Sequence, residues 1–116
     1  MKRVLVVEDE PMILEIWQEL LATINCKVDI SKDGDDGLSK VSSDYYDLVI
    51  TDLKMPVKDG TDLINHLHQK KKKSKIILAS GFEINEEELE ELKVDHFIQK
   101  PFDIHQELQV IQTFLA

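Results

Sequence analysis

The chain has 116 residues, 42% of them hydrophobic and 32% charged, with 23 acidic side chains against 14 basic ones. That size suits one domain with a real core and leaves no room for two, and the apolar fraction excludes a disordered or fibrous chain. A net charge of −9 argues against a whole-surface grip on nucleic acid or anionic lipid and favours metal cations or basic partners.

The longest apolar runs, Val4–Val7 and Ile76–Ala79, are far too short for the ~20 residues that span a bilayer. After Met1-Lys2-Arg3 the apolar stretch is stopped by Glu8-Asp9-Glu10, so no export signal is read and a cytoplasmic setting is expected. The single Cys26 has no partner for a disulfide or a zinc site and reads as a small buried apolar residue in a reducing compartment.

In chain order, the strand candidates are Val4–Val7, Val28–Ile30, Leu48–Ile50, Ile76–Ala79 and Phe97-Ile98. The first, third and fourth are continuous and rich in Val and Ile, as strands buried on both faces are. Between them apolar residues recur every three or four positions. Ile13, Ile16, Leu20 and Ile24 form the first such stripe; Leu38 with Val41, Leu63 with Leu67, and Leu89 with Leu92 mark shorter ones; Ile104, Leu108, Ile111 and Leu115 form the last. Strands alternating with helices predict an α/β domain over residues 1–116, with a parallel sheet covered on both faces.

The punctuation fits that alternation. Asp9 is expected to cap the first helix, with Pro11 in its first turn, and Pro101 to end the fifth strand and open the last helix. Glu86-Glu87-Glu88 suit a helix start, and Lys70–Lys73 a solvated helix end. Trp17 reads as partly buried packing, and His66, His68, His96 and His105 as surface residues without metal-ligand spacing.

Ligands of such sheets bind beyond the carboxyl ends of the strands, here Glu8-Asp9, Ser31, Asp52, Ser80 and Lys100. If the first and third strands are neighbours, Glu8, Asp9 and Asp52 converge. At ~5 Å and an effective dielectric of ~20, each pair of carboxylates repels by roughly 3 kcal/mol. A cation resolves that conflict, and hard oxygen donors with open positions suit Mg2+, with Mn2+ as a substitute. Lys100 and Ser80 add an ammonium and a hydroxyl, completing a receptor for a phosphoryl group. Asp52, at the end of an apolar strand, is the candidate nucleophile.

The segments VLVVEDE (4–10), DLVITDLKMP (47–56), KDG (58–60), ILASG (77–81) and FIQKPF (97–102) resemble the response-regulator receiver domain of two-component signalling, of the chemotaxis-regulator type. The resemblance extends over essentially the whole chain. It implies a doubly wound, flavodoxin-like (βα)5 fold with strand order 2-1-3-4-5; that order is carried over from the family and does not follow from the spacing of the residues. It further implies Mg2+-dependent phosphoryl transfer from the phosphohistidine of a sensor histidine kinase, or of a histidine phosphotransfer protein, to Asp52.

By the same resemblance, Asp9, Asp52 and the backbone carbonyl of Lys54 ligate the metal, and Glu8 acts mainly through water. Lys100 pairs with the phosphoryl oxygens, Ser80 swings towards them, and Phe97 follows as the switch aromatic. The Lys100–Pro101 bond is expected to be cis, and Gly60 to lie in the loop after the phosphorylation site. Lys54 and Phe82 would shield the acyl phosphate and slow autodephosphorylation.

Apart from that self-catalysed chemistry no enzymatic turnover is implied, and neither nucleic acid nor membrane binding. The fourth helix, fifth strand and fifth helix are expected to form the output face, with Phe82–Leu92 as a docking patch. The effector is not named by the sequence, and a homodimer on phosphorylation is left open. A phosphatase with a strand-end Asp nucleophile is the main rival, and Lys54, standing where its second Asp would be, argues against it.

Overall fold

Five strands pair in parallel in the order β2-β1-β3-β4-β5: β1 Lys2–Val7, β2 Cys26–Ser31, β3 Leu48–Thr51, β4 Lys75–Ser80 and β5 His96–Gln99. The helices α1 Pro11–Leu21, α2 Gly34–Ser43, α3 Gly60–Gln69, α4 Glu86–Leu92 and α5 Ile104–Leu115 alternate with them. The computed structural model describes residues 1–53 and 60–116, with Ile104 by its backbone alone. Lys54, Met55-Pro56 and the first two residues of the KDG segment therefore lie outside the described residues. No helix among those described is long and apolar enough to cross a membrane.

Strand side chains alternate between the two faces of a sheet, and here both faces are covered. Val4, Val6, Leu48, Ile50, Ile77, Ala79 and Ile98 pack under α1 and α5 with Leu14, Trp17, Leu21 and Ile111. Leu5, Val7, Val49, Ile76 and Leu78 pack on the other face with Val41 of α2 and Leu63, Ile64 and Leu67 of α3. This explains the unbroken apolar runs, since neither side of residues 4–7, 48–51 or 76–80 meets water.

Several local expectations are corrected. Helix α1 buries Leu14, Trp17, Leu20 and Leu21, so its inward stripe is turned one position from Ile13 and Ile16. Ile24 follows the helix and is only half-buried. Trp17 is 1% exposed, and its ring stacks on Phe102 with centroids 5.0 Å apart.

Glu10, not Asp9, occupies the cap of α1, with Pro11 at the first turn and no side-chain cap bond. Pro101 does not open α5; Asp103 caps that helix, accepting from the Gln106 backbone N–H. Gly60 is the first residue of α3 rather than a loop residue.

Lysines 70–73 lie just past α3 and seal helix ends: Lys70 donates to the carbonyls of Val41 and Asp44, and Lys73 to that of His68. Three histidines are half-buried bridges rather than surface residues. His68 Nε2 lies 2.8 Å from the Leu92 carbonyl, His96 Nε2 3.1 Å from Glu107 Oε2, and His66 Nε2 3.3 Å from Ser42 Oγ. Cys26 is half-buried, and burial raises its thiol pKa.

At the amino ends of the strands, Arg3 contacts Asp29 at 3.3 Å, Asp44 at 3.5 Å and the Tyr45 carbonyl at 3.3 Å, and its guanidinium lies 4.8 Å from the Tyr46 ring centroid. Tyr46 donates to Asp29 Oδ2 at 2.7 Å. Burial and the Asp29 carboxylate keep its phenol protonated through the alkaline range.

Candidate functional site

Strand adjacency builds the site. Val7 is in register with Ser31 on one side and Thr51 on the other, so the residues that follow, Glu8 and Asp52, emerge side by side at the carboxyl edge. The Asp52 backbone N–H donates to the Val7 carbonyl at 3.1 Å, and the Glu8 N–H to the Ser31 carbonyl at 3.0 Å. The ladder is thereby carried one residue beyond the strands, and these two backbones are held in place. Here the strand order reverses, because β1 connects outward to β2 while β3 lies on its other flank.

Carboxylate oxygens of Glu8, Asp9, Glu10 and Asp52 all lie within 4.8 Å of one another. Glu8 is 2% exposed and Asp52 8%, whereas Asp9 is half-buried and Glu10 exposed at the rim. Asp9 is available to the cluster because Glu10 has taken the capping position. The sequence reading does not single out Glu10; its place directly after the Glu8-Asp9 pair is the signal that could have found it.

Lys100 crosses from the far side. Its Nζ lies 2.5 Å from Glu8 Oε1 and 2.9 Å from Asp52 Oδ2, with the side chain only 12% exposed. The Lys100–Pro101 peptide is cis, and the Lys100 N–H donates to the Ser80 carbonyl at 2.8 Å. Asp52 Oδ1 accepts from the Leu53 N–H at 2.7 Å.

Burial pushes the Glu8 carboxyl up to about 7, with the Asp52 charge adding to the effect and the Lys100 ammonium opposing it. Its second oxygen, Oε2, is buried without a donor among the described residues. Burial alone would lower the Lys100 pKa, but Glu8 and Asp52 outweigh it, so the ammonium form is reinforced. Among the described residues one cation thus sits among four acids, a deficit of positive charge at a cluster of hard oxygen donors. An undonated buried oxygen beside two rim carboxylates fits a divalent, oxygen-seeking cation such as Mg2+.

Ser80 is fully buried, and its Oγ accepts from the Phe82 N–H at 3.1 Å. Phe97 is half-buried and in register with Leu78, two residues before Ser80. Ser80 and Phe97 therefore share the sheet face that α4 covers with Leu89 and Leu92. Gly60 closes the site from below. Its N–H donates to the Leu53 carbonyl at 2.8 Å, and a Cβ there would stand 2.3 Å from the Asp52 carbonyl oxygen. No side chain fits that gap.

The structure thus brings Glu8, Asp9, Asp52 and Lys100 together. It sets Ser80 on the adjoining strand end and Phe97 on the face behind it, while the Lys54 carbonyl falls outside the described residues. A cavity of about 440 Å3 opens beside the acids, lined by Glu8, Asp9, Pro11, Leu14, Gln18 and Lys32 among others.

The sequence pattern of the family described as response regulator receiver domain matches residues 4–112. The response regulator ArlR of Staphylococcus aureus is 34% identical over 116 residues, which takes in 99% of this chain and 53% of that protein. The chain spans about half the length of the curated relatives it matches. Among solved structures, the response regulator TrrA of Thermotoga maritima, in complex with Mg2+ and beryllium fluoride, superposes with a TM-score of 0.87 at 33% identity, covering 98% of this chain and 99% of that one. A CheY-like receiver domain protein of Methanospirillum hungatei JF-1 superposes with a TM-score of 0.91 at 27% identity, covering 99% and 94%.

Proposed function

The chain belongs to the response regulator receiver domain family, and from that membership we propose that Asp52 is its phospho-acceptor and that residues 1–116 act as one regulatory domain. Phosphorylation-dependent signalling in a two-component system is the function of such a domain. The observation that carries the assignment is the position of Asp52 at the end of a central strand. There its carboxylate is oriented by the Leu53 N–H and Lys100 and surrounded by Glu8, Asp9 and Glu10.

The donor is a phosphohistidine on a sensor histidine kinase or a histidine phosphotransfer protein. An Asp52 oxygen attacks phosphorus, the P–N bond breaks with its electron pair leaving on the imidazole, and an acyl phosphate remains on Asp52. Asp9, Asp52 and the Lys54 carbonyl would hold Mg2+ (or Mn2+), with Glu8 acting indirectly and Glu10 at the rim. The metal, when bound, supplies charge neutralisation for the transferring group.

Lys100 shifts from the carboxylates to the new phosphoryl oxygens. Ser80 turns its hydroxyl towards them and gives up the Phe82 N–H, and Phe97 fills the space vacated behind it. The face formed by α4, β5 and α5 is then the output surface, switched by a bias between two packings. Hydrolysis of the acyl phosphate returns the resting state and is the only turnover. Lys54 and Phe82 screen it from water and make it slow.

The test is mass spectrometry of the chain after incubation with Mg2+ and acetyl phosphate. One phosphoryl adduct is expected for the native sequence and none for Asp52→Asn. An adduct that survives in Asp52→Asn places the acceptor elsewhere.

A further inference from the structure

The negative charge of this chain is not spread over it. Residues 82–116 carry nine acidic side chains against Lys93 and Lys100, a net of −7 out of the chain's −9. Lys100 is withdrawn into the acidic site, leaving Lys93 as the cation of this surface.

Helix α4 supplies most of the charge. Five of its seven residues are glutamates, all exposed, and it has no buried residue. Beside it Phe82 is 61% exposed, a large aromatic with Glu83 as its neighbour, and Ile84, Leu89 and Leu92 are half-buried. The described outward positions of α5, His105, Gln106, Gln109, Gln112 and Thr113, offer no carboxylate and no Lys or Arg. The one acid of that helix, Glu107, faces His96.

A symmetric dimer sets one patch against its own copy. On this face that opposes α4 glutamates to a second set of glutamates or to neutral glutamines; among the described residues the opposite charge comes from Lys93, with Lys73 and Lys75 beside it at the margin of the patch. Like charges juxtaposed across an interface disfavour it. The lysine run at 70–73 lies past the end of α3 rather than on β5 or α5, with Lys70 and Lys73 donating to helix-end carbonyls and Lys72 lying 4.0 Å from the Tyr45 ring centroid. Exposed aromatics are the usual anchors of interfaces, and a ring fringed by acids accepts an apolar side chain flanked by cations.

We propose that the α4–β5–α5 face docks a Lys/Arg-bearing amphipathic segment of another protein, seated on Phe82, rather than a second copy of this chain. This rests on the output-face reading above, with the charge distribution deciding the occupant.

The test uses the full chain with Mg2+ and beryllofluoride and two labelled amphipathic peptides of equal apolar pattern, one bearing lysines and the other glutamates at the polar positions. Fluorescence anisotropy should show the lysine peptide binding at least about tenfold tighter, an advantage lost on raising ionic strength from about 0.05 to 0.5 M. Phe82→Ala should weaken both peptides by a similar factor and the exposed pair Glu87→Lys with Glu90→Lys should abolish the preference, while Glu19→Lys with Asp35→Lys, a matched charge change on α1 and α2, should keep it. Sedimentation should show a monomer with and without beryllofluoride.

Equal binding of both peptides, or loss of the preference only in the α1 and α2 control, overturns the proposal. So does a beryllofluoride-induced dimer dissolved by Glu87→Lys with Glu90→Lys, which makes a second copy the occupant. A preference for the lysine peptide that is the same without beryllofluoride supports the charge argument and instead removes the output-switch reading.

Discussion

Replacing Glu8 with Gln tests whether the acidic cluster is strained in the absence of a cation. Glu8 is 2% exposed, its Oε2 has no donor among the described residues, and burial raises its carboxyl to about 7 from an ordinary 4.5. Because the folded-state value lies above the unfolded one, the folded chain holds the extra proton between those two limits. The associated stability is fully present below about pH 4.5 and is lost as pH rises through about 7.

At ~1.4 kcal/mol per pH unit the loss is at most about 3 kcal/mol, and screening by water at the cleft mouth reduces it to about 1–2 kcal/mol. Chemical denaturation in EDTA at pH 5, 6 and 7 measures it. The native chain should lose stability over that interval relative to Glu8→Gln, with the four histidines, common to both, cancelling in the difference. With saturating Mg2+ the native chain should recover the loss, since a cation that binds only the folded state stabilises it. Parallel pH dependences of the two chains in EDTA would refute the burial argument.

Other substitutions separate the roles of the site from those of the scaffold. Lys100→Met removes the internal cation that Mg2+ must share the carboxylates with, so Mg2+ affinity, followed by Trp17 fluorescence, should rise while phosphorylation by acetyl phosphate slows; weakened metal binding would contradict the pairing seen at Glu8 and Asp52. Gly60→Ala drives a methyl group to 2.3 Å from the Asp52 carbonyl oxygen and should cost about 1–3 kcal/mol in denaturation, with slower phosphorylation; an unchanged midpoint would show that α3 can retreat freely. Tyr46→Phe, at the far end of the sheet, should cost about 1 kcal/mol through the lost bond to Asp29 and leave phosphorylation kinetics alone; a kinetic effect would reveal coupling across the sheet.

Strands β1 and β3 are the most readable, because burial on both faces leaves an apolar run with a carboxylate just beyond its end, so that Glu8 and Asp52 mark both the fold and the site. The phase of α1 is not readable. Seven of its eleven residues are apolar, so periodicity alone cannot choose between Ile13 with Ile16 and Leu14 with Trp17; contact with Phe102, far along the chain, chooses. Asp9 and Glu10 are both plausible at a helix start with Pro11 in its first turn, and only the observed start of α1 at Pro11 itself moves the cap from Asp9 to Glu10. The histidines escape a local reading for a similar reason. Their partners Leu92, Glu107 and Ser42 lie 24, 11 and 24 positions away, distances that no local pattern encodes. The site residues are legible as a set because each sits at a strand end, whereas the 2.5 Å approach of Lys100 to Glu8 depends on how β4 and β5 stack beside β3.

The guanidinium of Arg3 has a mechanical corollary. It ties the start of β1 to the middle of β2 and to the segment leading into β3, through Asp29, Asp44 and the Tyr45 carbonyl, on the flank of the sheet remote from α4. At the opposite edge α4 rests without a single buried side chain and touches the core only through the half-buried Leu89 and Leu92. The cross-links of Arg3 and the helix with no buried side chain thus fall on opposite flanks of one sheet.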